Sequence, residues 1–478
     1  MVLRCLLSFL LLLAPGAHAE GLPDLGDVSQ ASFTPAQERR LGENIMREIR
    51  ADPQFYDDAE ASDYLNALGD RLVAHSSDTR QSFSFFLIRD NQINAFALPG
   101  GYVGVNTGLF FAAQSESELA GVLGHEIAHV TQRHVARMIA QQDKTSIVSL
   151  AALAVAILAA RASTEAASAA AAFGQAGVIQ SQLNFTRDNE KEADRVGLQI
   201  LEGAGFDPRG MASFFERLQR STRIYEGGAP SYLRTHPLTH ERIADVENRL
   251  ETMPYRQVPD SLDFQLIRAK LKAHLETPRA AQAFFEEGLA ERKFLSEAAS
   301  RYGLTVSLLR QKNIAGAEKQ YEALRKSGRS SPIIDALGCE IQTATGDIEG
   351  ASSCYRTALK SYPNYRTFSY NYADLLLQAR KPQAALQLVE ERLRSFTEDH
   401  HLYLLQSRAY AMIGKGLAQH RALGEAYARM GNLPGAIEQL QIALKSGDGD
   451  FYQMSATEAR LRQLRSIEAE AKREQRKK

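Results

Sequence analysis

Tryptophan is absent from the 478 residues, and cysteine occurs only three times. So few cysteines exclude a disulfide-built scaffold and a cysteine-rich metal cluster. Neither sign of charge is in excess: 56 Lys and Arg face 57 Asp and Glu. The net charge of −1 excludes nucleic-acid binding driven by bulk charge. No apolar run reaches the ~20 residues that a membrane-spanning helix needs; the run from Ile147 to Ala160 has 14. What remains, 24% charged and 44% hydrophobic residues, is the composition of a globular chain with length for two or three domains.

Residues 1–19 read as a signal peptide. Arg4 is the positive region, Leu6 to Ala14 the apolar core, and Ala17-His18-Ala19 a small-x-small cleavage site before Glu20. The mature chain is then exported, in a bacterium to the periplasm. Two cysteines survive cleavage, Cys339 and Cys354. An even count in an oxidising compartment suits a disulfide; two small residues buried between packed helices is an equal reading.

The chemistry centres on Gly124-His125-Glu126-Ile127-Ala128-His129. Histidines four apart on a helix share one face, so both can reach one metal ion. Glu126 then faces the open side of a zinc site, placed to take a proton from water. Ser115 and Glu118 offer a capping box, and Leu119, Val122 and Leu123 supply helical periodicity. A second pair, Glu190 and Asp194, is also spaced by four. Glu190 suits a third, anionic ligand, and Asp194 can accept the N–H of a ligating histidine and fix its tautomer. His134 is expected outside the ligand set, as a supporting or surface residue.

These residues carry a resemblance. His125-Glu126-Ile127-Ala128-His129, followed by Thr131-Gln132-Arg133-His134 and a later Glu-x-x-x-Asp, resembles the zinc metallopeptidase family that includes HtpX and the CAAX prenyl proteases. The resemblance spans roughly residues 30 to 250. It implies one zinc per chain held by His125, His129 and Glu190, with Glu126 as the general base. Thr235-His236-Pro237 followed by Arg242-Ile243 also resembles a recurrent pattern of the family. His236 is thereby assigned to the site, as oxyanion stabiliser or as a fourth ligand that shuts it; His240 competes for that role, and Arg242 braces the cleft through a carboxylate. Relatives of the HtpX kind carry a membrane span near residues 147–180. Here the run is too short, leaving a buried helix or a hairpin making peripheral contact with a membrane or membrane protein.

Phe83 to Ile88, Ala95 to Leu98 and Tyr102 to Val105 read as strands. They form a small sheet whose edge can cradle an extended peptide. Asn94 to Ala97 resembles a segment near the cleft in related enzymes. Residues 253–265 read as a linker between a metallopeptidase domain, 20–252, and a repeat domain, 266–454. Ala317, Ala351 and Ala385 recur every 34 residues in matching frames, the period of the tetratricopeptide repeat. Ala436 lies 51 further on, one and a half repeats, so one extra helix is expected near residues 402–418. Residues 455–478 form a charged final helix.

The expected architecture is mainly α: a zincin-like metallopeptidase domain with a small β-sheet, then an α-solenoid. The domain order resembles the branch of the family that acts in outer-membrane protein assembly. It implies unfolded or stalled outer-membrane β-barrel proteins as clients, the β-barrel assembly machinery as partner, and no nucleic acid. The rival reading is a non-catalytic, repeat-based assembly chaperone with a structural zinc. The client, the cleavage specificity and the oligomeric state are not written in the sequence.

Overall fold

The computed structural model of the chain describes residues 33–78, 81–141, 187–222 and 231–476. The leader and the segment 147–180 lie outside them. Two helices open the described part, α1 (Pro35–Ala51) and α2 (Ala59–Val73). Thr34 and Gln37 close a full capping box on α1. Asp58 caps α2 by accepting the Ala61 N–H, which starts the helix at Ala59.

Strands β1 (Ser84–Ile88), β2 (Ala95–Leu98) and β3 (Tyr102–Asn106) form a sheet in the order β1-β3-β2. β3 runs parallel to β1 and antiparallel to β2. Gly100 and Gly101, at φ +81° and +84°, make the turn between β2 and β3. That order leaves one side of β2 unpaired among the described residues. The short α3 (Thr107–Ala112) leads to α4 (Glu116–Thr131), buried from Glu116 to Val130, and then α5 (His134–Gln141). Ser115 caps α4, but the Glu118 carboxylate takes the Gln114 N–H and Arg217 instead of completing the box.

α6 (Arg187–Gly203) crosses α4 at a pair of glycines. A Cβ on Gly124 would meet the Gly197 carbonyl oxygen at 3.2 Å, and one on Gly197 would meet the His125 nitrogen at 3.1 Å. Only hydrogen at both places lets the helices approach this closely. α7 (Arg209–Thr222), α8 (Ser231–Thr235) and α9 (His240–Thr252) complete the peptidase part. No helix among the described residues is long and apolar enough to cross a membrane.

Twelve further helices follow: α10 (Leu262–Leu275), α11 (Pro278–Ala290), α12 (Glu297–Arg310), α13 (Ile314–Lys326), α14 (Pro332–Ala344), α15 (Ile348–Ser361), α16 (Arg366–Gln378), α17 (Pro382–Leu393), α18 (His400–Met412), α19 (Gly416–Arg429), α20 (Leu433–Leu444) and α21 (Phe451–Arg476). The repeat alanines Ala317, Ala351, Ala385 and Ala436 are wholly buried, where a larger side chain would force paired helices apart. Two helices, α18 and α19, separate α17 from α20 where a regular array has one. Cys339 and Cys354 form a disulfide joining α14 to α15. Closing a 15-residue loop stabilises by about 3 kcal/mol in the chain-entropy account.

The core does not stop at the linker. One cluster runs from Leu65 and Leu68 through Leu123 and Phe215 to Phe264, Ile267, Tyr302 and Ile341. α10 begins at Leu262, inside the stretch read as a linker. Its Lys270 reaches back to Glu60 at 2.8 Å and Asp58 at 2.7 Å.

Candidate active site

The glycine crossing of α4 and α6 brings the two four-residue spacings face to face. His125, His129 and Glu190 meet with His236, and one donor atom from each lies within 4.8 Å of the others. His129 Nε2 is 3.0 Å from His125 Nε2, and His236 Nδ1 is 3.4 Å from His125 Nε2. Glu190 Oε1 is 3.4 Å from His129 Nε2 and 3.0 Å from His236 Nδ1. All four residues are at most 1% exposed.

The outer contacts set which ring nitrogens point inward as lone pairs. His125 Nδ1 sits 2.9 Å from Asp194 Oδ1, so its N–H faces that carboxylate and Nε2 faces the cluster. On the other side His134 Nε2 donates to Glu192 Oε2 at 3.1 Å. Burial holds His134 at a pKa of about 4, hence neutral, and its Nδ1 accepts from His129 Nδ1 at 2.8 Å. The His129 Nε2 lone pair is thereby turned inward. Nitrogen lone pairs and a carboxylate converging in a dry site repel one another unless a cation lies between them. The donor set therefore fits zinc: neutral imidazoles plus one carboxylate.

Asp194 and Glu190 share a counter-ion. Arg242, 1% exposed, donates from Nε at 2.7 Å and from Nη2 at 2.8 Å to Asp194, and its Nη1 is 2.7 Å from Glu190 Oε2. Burial raises the Asp194 carboxyl, but Arg242 and His125 overcome it and hold it below the usual carboxylate range. At His125 burial opposes protonation, yet Asp194 and Glu190 push its pKa to about 9, so a metal that takes its Nε2 must displace a proton there. Burial keeps His129 well below the usual histidine range.

Glu126 lies beside this set without joining it. Neither of its carboxylate oxygens has a hydrogen-bond partner among the described residues, although the side chain is fully buried. His236 Nε2 lies 3.5 Å from its Oε1. Burial raises its pKa, which suits a group that must accept a proton and give it up. The Ala97 backbone of β2 opposes that rise, which sets β2 beside Glu126.

His240, the sequence competitor of His236, is the exposed first residue of α9. Two contributors had no signal in spacing. Glu192 acts through His134, and the Tyr232 ring lies 4.8 Å from that of His236, tilted by 30°. The Tyr232 hydroxyl is buried with no hydrogen-bond partner among the described residues. The Tyr232 N–H and Ser231 hydroxyl both donate to the Ile93 carbonyl, fixing α8 to the loop before β2.

Residues 59–250 match Peptidase family M48, and residues 343–400 match the tetratricopeptide repeat. The Beta-barrel assembly-enhancing protease of Escherichia coli (strain K12) is 31% identical over 453 residues, covering 94% of this chain and 92% of its own. That of Yersinia pestis is 31% identical over 477 residues, covering 98% of each. The Mitochondrial metalloendopeptidase OMA1 of Schizosaccharomyces pombe is 30% identical over 228 residues, 46% of this chain and 62% of its own. With relatives matched nearly end to end and a buried donor set suited to the zinc on which this family depends, the chain belongs to peptidase family M48 and is a metalloendopeptidase.

Proposed function

We propose that the protein is a periplasmic zinc endopeptidase in the assembly and quality control of outer-membrane β-barrel proteins, degrading clients that stall. The observation that carries the chemistry is Glu126, buried and uncommitted beside four converging donors. In this reading His125, His129 and Glu190 hold the metal, and Asp194 and His134 orient the two histidines. Zinc bound there supplies Lewis acidity toward water and the scissile carbonyl. Glu126 takes the proton from the attacking water and delivers it to the leaving amine. An extended client pairs with the open edge of β2, which places its backbone alongside Glu126.

His236 supports latency. As a fourth donor beside His125, His129 and Glu190 it would complete the ligand set of a bound zinc and leave no position for water. Displaced, it stands beside Tyr232 as a second hydrogen-bond donor for the developing oxyanion. The same closed set of four also supports the second reading, a structural zinc in an assembly chaperone.

The names of the relatives support the barrel client, and the repeats support recognition of a protein partner. A cavity of about 1280 Å³ lies between α1 and helices α17 to α21, with Arg50, Arg421 and Arg460 among its lining residues. Incubation of the purified protein with an unfolded outer-membrane β-barrel protein, and with its folded form, tests the proposal. Zinc-dependent cleavage of the unfolded form alone is expected. No cleavage of either, with zinc bound and the fold intact, would favour the chaperone reading.

A further inference from the structure

A second cluster of metal-ligating side chains lies outside the active site, at the seam between the peptidase part and the repeats. Asp57, just before α2, meets His400 and His401, the first two residues of α18. Asp57 Oδ2 is 2.7 Å from His400 Nε2 and 3.0 Å from His401 Nε2, across 343 residues of chain. These separations resemble those within the active-site donor set, where 3.0 to 3.5 Å divides neighbouring donors.

Successive helical residues ordinarily point about 100° apart. Here both imidazoles aim at the same carboxylate oxygen. The His401 ring is held against Tyr370 at 5.2 Å, and the His400 ring lies 4.3 Å from it. Tyr370 is in turn anchored by its hydroxyl on Asp399. The surroundings favour a cation. Asp63 and Asp399 face a single guanidinium, Arg366, while Asp57 faces the two imidazoles, so with neutral imidazoles these three carboxylates and one guanidinium leave a local charge of −2. The N-terminal end of α18 works against a cation there, but its partial charge is about half a unit. Asp57 is 38% exposed, His400 20% and His401 34%, which leaves room for water to complete the coordination.

We propose that Asp57, His400 and His401 form a second divalent-metal site, of a kind that takes zinc, and that the ion staples the repeats to the peptidase. Two histidines and one carboxylate are a zinc-type donor set, and a separation of about 3.3 Å between donors of a tetrahedral site needs only small movements from the present geometry. Asp57 follows Tyr56, whose N–H donates to the Leu87 carbonyl of β1. The staple therefore ties α18 to the segment that supports the sheet, and zinc supply strengthens repeat docking.

The test uses the full chain carrying Glu126→Gln to prevent self-cleavage, dialysed to equilibrium against buffered free Zn²⁺, with metal counted per chain. Two zinc ions are expected, falling to one when His400→Ala and His401→Ala are added. Asp57→Asn keeps an acceptor for both imidazoles but is a poor zinc ligand, so it too should fall to one. Zinc should also raise the melting temperature further in the parent than in either variant. Equal stoichiometry in parent and variants, or a parent that takes up one ion, overturns the site and leaves the cluster an ordinary hydrogen-bonded contact.

Discussion

His236 divides two roles that a single structure places on the same ring. Its Nδ1 faces Glu190 and its Nε2 faces Glu126, so the same side chain can complete the ligand set or address the substrate. If it is the latch, His236→Ala raises turnover several-fold with zinc retained, and Tyr232→Phe, which leaves the latch in place, lowers it. Steady-state cleavage of an unfolded protein, read beside zinc content, separates the cases. A fall in turnover for both variants would make His236 a transition-state stabiliser. At this scale the four-residue spacings of His125 with His129 and of Glu190 with Asp194 were legible, because a helix repeats every 3.6 residues. Glu192 and Tyr232 were not legible as partners of the site, whereas His134 was expected outside the ligand set as a supporting or surface residue. Glu192 meets His134 across 58 residues, and a spacing of four does not by itself say that the Tyr232 ring lies against that of His236.

The elements meet because two glycines let them. α4 and α6 each carry half of the donor set, and Gly124 and Gly197 set their separation. A methyl group on Gly197 would stand 3.0 Å from Met211 Cε and 3.1 Å from the His125 nitrogen. Gly197→Ala is therefore expected to cost roughly 1–3 kcal/mol of stability, as overpacking does. It should also weaken zinc binding, because the strain falls on the backbone of a ligand. Urea unfolding and a zinc competition titration would show it; unchanged values of both would mean that the crossing is not tight. The Ser115 cap of α4 and the repeat period were readable from local side chains, although Glu118 does not close the box. The sheet order was not, since β3 pairs in parallel with β1 through contacts that the hydrophobic pattern leaves open.

Across the whole molecule, the peptidase and the first repeats share one core, although prolines at residues 254 and 259 read as a boundary. Proline marks where a chain turns and says nothing of what packs across the turn. Removing residues 266–478 would take Ile267, Leu271 and Tyr302 out of the peptidase's own core. The buried Lys270 tests this unity. Glu60 is 4% exposed, and Lys270 supplies its salt bridge from across the seam. Lys270→Ala leaves that carboxylate uncompensated, a loss of about 3–5 kcal/mol for a broken buried pair. Equilibrium unfolding should show the loss for the whole molecule. A change confined to the repeats, with the peptidase transition unmoved, would argue for two independent domains.

The central claim is that Glu126 performs the proton transfers without holding the metal. Zinc content and cleavage of an unfolded protein, measured together on wild type and Glu126→Gln, address it most directly. Unchanged zinc with cleavage reduced by at least about 100-fold is the expected result. Cleavage at the wild-type rate, or zinc lost together with activity, would contradict it.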